Sequence, residues 1–94
     1  MRETEVTVRN PSGIHLRPAA VFVRAAAGFT SRVTLANLDR GGKAVDAKSS
    51  IMVMNAHVTK GTRIRISADG ADEESAISTL QALVESGLGE SVEG

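Results

Sequence analysis

A histidine, an arginine and a proline lie close together near the start of the chain, at His15, Arg17 and Pro18. A neutral imidazole has a free nitrogen lone pair that can attack a phosphorus atom. A guanidinium can donate two hydrogen bonds to the resulting phosphoryl group, and the N-terminus of a helix favours negative charge. The spacing therefore predicts a site at which His15 holds a phosphoryl group and Arg17 stabilises it.

Pro18 is suited to the first turn of a helix, where its missing N–H is no loss. The backbone donors that remain for a phosphoryl group are the N–H groups near Leu16 and Arg17. On these residues alone an alternative stays open, in which His15 is an ordinary surface residue or a helix cap.

Hydrophobic periodicity predicts the elements that must position this site. Alternating apolar and polar residues indicate strands over residues 3–9, 32–38, 43–48 and 62–68. Helical spacing indicates long helices from Pro18 to Gly28 and from Asp72 to Gly87, and a short helix over residues 51–54 that Ser49 caps. The order β-α-β-β-α-β-α predicts an α+β domain with a four-stranded, antiparallel sheet covered on one face by helices. We expect one domain over residues 1–88 and a flexible tail over residues 89–94.

The composition argues against several classes of function. Eleven basic and eleven acidic residues cancel and only two residues are aromatic, which disfavours binding to nucleic acid. There is no cysteine, so a thiolate metal site is excluded, and the two histidines are too few for a metal site without carboxylates. No stretch has the length of a membrane span. We expect a cytoplasmic protein without metal, cofactor or membrane insertion.

Residues 13–19, GIHLRPA, resemble the active-site signature of the HPr family, the histidine phosphocarriers of the bacterial phosphoenolpyruvate-dependent phosphotransferase system. The resemblance implies an open-faced β-sandwich. It also implies that His15 accepts a phosphoryl group on Nδ1 from phosphorylated enzyme I and passes it to an enzyme IIA domain in sugar uptake. Such a protein is a stoichiometric carrier and not an enzyme, and a monomer fits this role.

A second segment, KSSIM at residues 48–52, resembles the HPr segment in which a serine opens the short second helix. In many Gram-positive members HPr kinase phosphorylates that serine, so Ser49 is a candidate regulatory site and the kinase a candidate partner. The alternative is that Ser49 is only a helix cap. Ser50 and His57 depart from the usual family pattern, and we interpret His57 as a solvated loop residue.

Apolar residues near the predicted site are candidates for partner docking. They are Leu16, Ala20, Ile51, Met52 and Met54, with Arg24 as a charged neighbour. Ile51 and Met54 are equally suited to the hydrophobic core, and we expect both to be buried there. The resemblance implies that the exposed part of the short helix binds several partners, for which methionine is a suitable residue.

Other interpretations remain at this stage. A small hydrolase similar to acylphosphatases would bind phosphate through Asn10 and Arg17 and would form no phosphohistidine. A nucleic-acid-binding domain of similar topology is disfavoured by the neutral charge. Within the phosphocarrier class, the residues do not choose between sugar uptake, a nitrogen-related branch and regulation through Ser49.

Overall fold

Four strands form one antiparallel sheet in the spatial order β1-β4-β2-β3. The structure is a computed structural model that describes residues 1–90. The strands are β1 (Arg2–Thr7), β2 (Arg32–Asn37), β3 (Ala44–Asp46) and β4 (Arg63–Asp69). In the central part of the sheet Ile66 of β4 lies opposite Thr4 of β1 on one side and Leu35 of β2 on the other. This register places the apolar residues of neighbouring strands on the same face.

Three helices accompany the sheet: α1 (Leu16–Ala27), α2 (Ser50–Asn55) and α3 (Glu73–Glu85). Phe22 of α1 and Leu80 of α3 are fully buried in one core with the apolar side chains of the strands, among them Leu35 and Ile66. On the other face of the sheet, Arg65 of β4 makes an exposed ion pair with β1. The fold is the predicted α+β open-faced sandwich, with its elements in the predicted order.

The boundaries differ from the prediction at two places that matter for the site. α1 begins at Leu16, two residues before Pro18, because His15 already has the extended backbone of an N-cap residue. β1 ends at Thr7, since Val8 leaves the regular ladder and instead exchanges hydrogen bonds with the turn before β4, donating to Thr62 O at 2.9 Å and accepting from Gly61 N at 2.7 Å.

The turn predicted after β2 contains a short 3₁₀ helix, Leu38–Arg40, which the sequence reasoning missed. The signal for it is Asn37, whose side-chain oxygen accepts a hydrogen bond from Asp39 N at 3.0 Å. The hairpin of β2 and β3 around this turn is confirmed.

After α3 the chain stays attached to the domain as far as it is described. Leu88 is 1% exposed, and the Glu90 carboxylate is hydrogen-bonded to the loop after β1. Of the tail predicted over residues 89–94, residues 91–94 lie outside the described residues. Within residues 1–90, no helix has the length and apolar character needed to cross a membrane.

Candidate functional site

His15 is exposed at the N-terminus of α1, in the position of the helix cap. Its backbone is extended, with φ −140° and ψ 151°, and its side chain makes no capping hydrogen bond. The imidazole is therefore not used to hold the helix end, and the alternative that His15 serves as a side-chain cap is excluded.

The backbone just before His15 is pressed against the loop after α2. Ile14 is 1% exposed, and its N–H donates to Val58 O at 3.1 Å. Gly13 has a φ of +63°, and a Cβ atom at this position would lie 2.3 Å from Val58 O. Only glycine allows this close approach. The contacts of Gly13 and Ile14 with Val58 therefore fix the position of the backbone just before α1.

Asn10 supports the same loop from within. Its side chain is fully buried, and Nδ2 donates to Gly13 O at 2.7 Å and to Glu90 Oε1 at 2.9 Å. The Gly13 N–H returns a bond to Asn10 O at 3.1 Å. Asn10 is thus a structural residue of the loop, and its amide cannot serve as the solvent-facing phosphate ligand that the hydrolase interpretation requires.

The first turn of α1 is open to an anion. The N–H groups of Leu16 and Arg17 have no hydrogen-bond acceptor within residues 1–90, and Pro18 has no N–H. The first turn contains no acidic residue, and Arg17 is exposed and makes no ion pair with any described residue. Helix dipole, free donors and guanidinium therefore all favour negative charge beside His15.

Leu16 has an unusual backbone conformation, with φ +53°. For a residue with a branched side chain, the left-handed backbone conformation is less stable than the right-handed one by about 1 kcal/mol. Sequence reasoning did not predict this, since periodicity carries no information about a single positive φ. The strained residue directly follows His15 at the point where the loop turns into the helix.

Three large apolar side chains close to the N-termini of α1 and α2 remain exposed: Leu16 at 70%, Ile51 at 68% and Met52 at 42%. We call these three residues the apolar patch. The helices to which they belong, α1 and α2, contact each other. The expectation that Ile51 belongs to the core is wrong, because it projects from the first turn of α2. Met54 does pack against the core, as predicted. On α1, Ala20 and Arg24 are exposed.

Ser49 is the N-cap of α2, as predicted. Its Oγ accepts a hydrogen bond from Met52 N at 3.4 Å, and its carbonyl accepts one from Val53 N at 3.0 Å. His57 is exposed in the loop after α2. Over residues 1–90 no three histidine, aspartate or glutamate side chains are grouped as metal ligands would be.

Comparison with known proteins decides the family. The sequence model described as "PTS HPr component phosphorylation site" matches residues 2–86. The chain belongs to the HPr family. Phosphocarrier protein HPr of Haemophilus influenzae is 40% identical over 84 residues, which are 89% of this chain and 95% of that protein.

Longer relatives and solved structures agree with this membership. A multiphosphoryl transfer protein of Haemophilus influenzae is 42% identical over 86 residues, 92% of this chain but only 17% of that protein. Among structures, HPr-C-His from Thermoanaerobacter tengcongensis has a TM-score of 0.90 and 39% identity, covering 98% of this chain and 100% of that one. An HPr dimer from the same organism has a TM-score of 0.72 and 40% identity, covering 96% and 100%.

The family is named for the HPr component of the phosphotransferase system, and the relative from Haemophilus influenzae that has similar length is a phosphocarrier protein. The hydrolase and nucleic-acid interpretations find no support in these relatives. The four-stranded antiparallel sheet with three helices is the fold of the HPr structures.

Proposed function

We propose that the chain carries a phosphoryl group on Nδ1 of His15, receiving it from phosphorylated enzyme I and passing it to enzyme IIA domains in sugar uptake. The observation that carries this proposal is the match of residues 2–86 to the HPr phosphorylation-site family, together with an exposed His15 at the open end of α1. The chain acts as a stoichiometric carrier that needs no metal or cofactor.

In the accepting step the Nδ1 lone pair of His15 attacks the phosphorus atom of the donor. A nitrogen–phosphorus bond forms, the bond from phosphorus to the donor breaks, and its electron pair stays with the donor. Arg17 and the N–H groups of Leu16 and Arg17 stabilise the negative charge on the phosphoryl oxygens. The donating step is the reverse, with the enzyme IIA domain as the new nucleophile.

Partners dock on the surface around this site. The residues we assign to docking are Leu16, Ile51 and Met52 of the apolar patch, with Ala20 and Arg24 on α1. Contiguous exposed apolar residues mark interaction sites on soluble proteins, and methionine adapts to partners of different shape. We propose a cytoplasmic protein that works as a monomer, since this surface must be free for each partner in turn.

Ser49 is the proposed regulatory site, phosphorylated by HPr kinase/phosphorylase. A phosphoryl group at the N-terminus of α2 would be compatible with the helix dipole, while adding negative charge close to the apolar patch. Ser49→Asp should therefore weaken binding of enzyme I, measured by calorimetry. The matched control is Ser75→Asp, which adds the same charge at an exposed position in the first turn of α3 and should leave the affinity unchanged. Equal affinities for Ser49→Asp and the wild type would leave Ser49 as a cap alone.

The central test is to incubate the chain with phosphoenolpyruvate and enzyme I and to measure its intact mass. The expected result is one added phosphoryl group that is lost in acid, present on the wild type and absent from His15→Ala. The matched control is His57→Ala, which removes the other exposed histidine and should accept phosphate normally. An adduct on His15→Ala would refute the assignment of His15.

A further inference from the structure

The carboxylate of Glu90 is bound to the loop that leads into His15. Its Oε1 accepts hydrogen bonds from Asn10 Nδ2 at 2.9 Å and from Ser12 N at 3.0 Å, and its Oε2 accepts one from Ser12 Oγ at 2.8 Å. Both carboxylate oxygens are thus used, which fixes the orientation of the group. These donors, with the Asn10 amide foremost, lower the pKa of Glu90 below its ordinary value of 4.5, so the group is ionised at neutral pH.

Glu90 is itself held by the chain that follows α3. Leu88 is buried, and its N–H donates to Leu83 O at 3.1 Å. The N–H of Glu90 donates to Gly87 O at 2.9 Å. The carboxylate is therefore presented from a packed segment, and it can act as a fixed support for the loop.

The support reaches the site through two residues. Asn10 Nδ2 is shared between Glu90 and Gly13 O, which lies 2.7 Å away and only two residues before His15. Ser12 is exposed, and all of its hydrogen bonds in the described chain go to Glu90. Without the carboxylate, Ser12 would lose all of its hydrogen bonds to the described chain, and the loop would keep only the bonds between Asn10 and Gly13 and the contact of Gly13 and Ile14 with Val58.

We propose that Glu90 is a positioning residue for phosphoryl acceptance. It fixes the loop of residues 10–13, and through it the backbone that presents His15 and the free N–H groups of Leu16 and Arg17. The proposal rests on the proposed function of His15. The Glu90 carboxylate forms its hydrogen bonds with Asn10 and Ser12 and none with His15 or with the N–H groups of Leu16 and Arg17, so its effect must pass through the loop.

A positioning role and a purely structural role predict different kinetics. Misplacing a reacting group by about 1 Å can slow a reaction about a hundredfold without any change in partner affinity. If Glu90 positions His15, its loss should lower the transfer rate at saturating donor and leave the KM for phosphorylated enzyme I unchanged. If Glu90 only attaches the end of the chain, its loss should lower the thermal midpoint and leave both kinetic constants alone.

The experiment compares Glu90→Ala, Glu90→Gln and the control Glu85→Ala in the full chain. Glu85 is an exposed glutamate at the end of α3 with no hydrogen bond to the loop. We expect Glu90→Ala to accept the phosphoryl group about tenfold more slowly with unchanged KM. Glu90→Gln should recover most of the rate, because its amide oxygen can accept from Asn10 and Ser12 and its amide nitrogen can donate to Ser12 Oγ. Glu85→Ala should match the wild type.

A second measurement does not depend on phosphoryl transfer. In nuclear magnetic resonance spectra, Glu90→Ala should shift the Ser12 amide proton and the His15 ring resonances, and Glu85→Ala should shift neither. A wild-type rate for Glu90→Ala, or unchanged His15 resonances in it, would overturn the positioning role. If the wild type itself accepts no phosphoryl group, the proposed function fails, and the resonances alone decide on Glu90.

Discussion

The N-termini of α1 and α3 are the same structural element, but the charged side chains in their first turns have opposite signs. At α3 acidic side chains lie at the N-terminus of the helix. The carboxylate of Asp72 accepts hydrogen bonds from the N–H groups of Thr30 at 2.8 Å and Ser31 at 2.9 Å and from the Ser31 hydroxyl. Glu73 in the first turn accepts from Gly70 N at 3.2 Å and pairs with the ammonium of Met1 at 3.0 Å. At α1 there is no acid, and the first turn contains Arg17.

The difference assigns a stabilising role to the N-terminus of α3 and an anion-binding role to the N-terminus of α1. The end of α3 has its negative charge supplied by the chain, so it holds β2 and the N-terminus in place. The end of α1 leaves its donors without acceptors and its cation without a partner among the described residues, and it remains ready for an anion from outside. Four variants test this comparison.

The largest effect should follow from placing an acidic residue in the first turn of α1, as in the first turn of α3. Arg17→Glu places an acid in the first turn, so the phosphoryl group would meet repulsion where it now meets a guanidinium. We expect phosphoryl acceptance to slow on the order of a thousandfold, with an unchanged circular dichroism spectrum because Arg17 is exposed. Arg40→Glu makes the same charge change in the 3₁₀ helix and should retain the wild-type rate; comparable loss in both variants would contradict the local role of Arg17.

The next effect concerns the loop that the α1 site needs and the α3 site does not. Gly13→Ala would place a methyl group 2.3 Å from Val58 O at a φ of +63°, and we expect it to lower the free energy of unfolding by about 3 kcal/mol. Gly41 has a φ of +89°, and a Cβ atom there would meet no other atom within 4 Å, so Gly41→Ala should cost only about 1 kcal/mol. Urea unfolding measures both, and equal losses would refute the contact with Val58.

A smaller effect should appear in acid at the α3 end. The Ser31 hydroxyl, followed by the Thr30 N–H, lowers the pKa of Asp72 from 3.8 to about 2. The ionised group binds its donors only in the folded state, so its contribution to stability is complete above 3.8 and is lost as the pH falls towards about 2. Thermal midpoints over this interval should fall more steeply for the wild type than for Asp72→Asn. Parallel curves would argue against the assigned hydrogen bonds.

The smallest effect is expected at α2, whose end resembles neither of the other two. Ser49 caps this helix through a long hydrogen bond of 3.4 Å, so Ser49→Ala should reduce the free energy of unfolding by about 0.5 kcal/mol, at the low end for a cap. Ser50→Ala, inside the helix, should be close to neutral in the same denaturation experiment. A loss well above that of an ordinary cap would mean that Ser49 supports more than α2.

Sequence reasoning predicted the parts of this molecule that depend on periodicity and local capping. Alternation placed all four strands within a few residues of their observed limits. The phosphoryl chemistry inferred from the types of His15, Arg17 and Pro18 stays a prediction. The early start of α1 and the positive φ of Leu16 could not be predicted, because periodicity carries no information about single backbone angles or about contacts such as that of Ile14 with Val58, more than forty residues later.

Burial of single residues was harder to predict than the elements. Ile51 and Met54 have similar hydrophobicity and lie in one short helix, yet Ile51 is exposed and Met54 packs against the core. A helix of six residues has too few turns for its pattern to define a buried face. Glu90 was assigned to a tail because nothing in its neighbourhood predicts contact with Asn10 and Ser12 at the other end of the chain.

The position of β1 has a consequence for the order in which the protein can fold during synthesis. β1 pairs with β4 alone, so Arg2–Thr7 has no neighbouring strand until residues 63–69 have left the ribosome. The loop before His15 likewise cannot form its hydrogen bond with Val58 until that residue has been synthesised. The residues of the proposed site are therefore made among the first and acquire their geometry among the last, and a nascent chain stopped before β4 would contain His15 without the complete site.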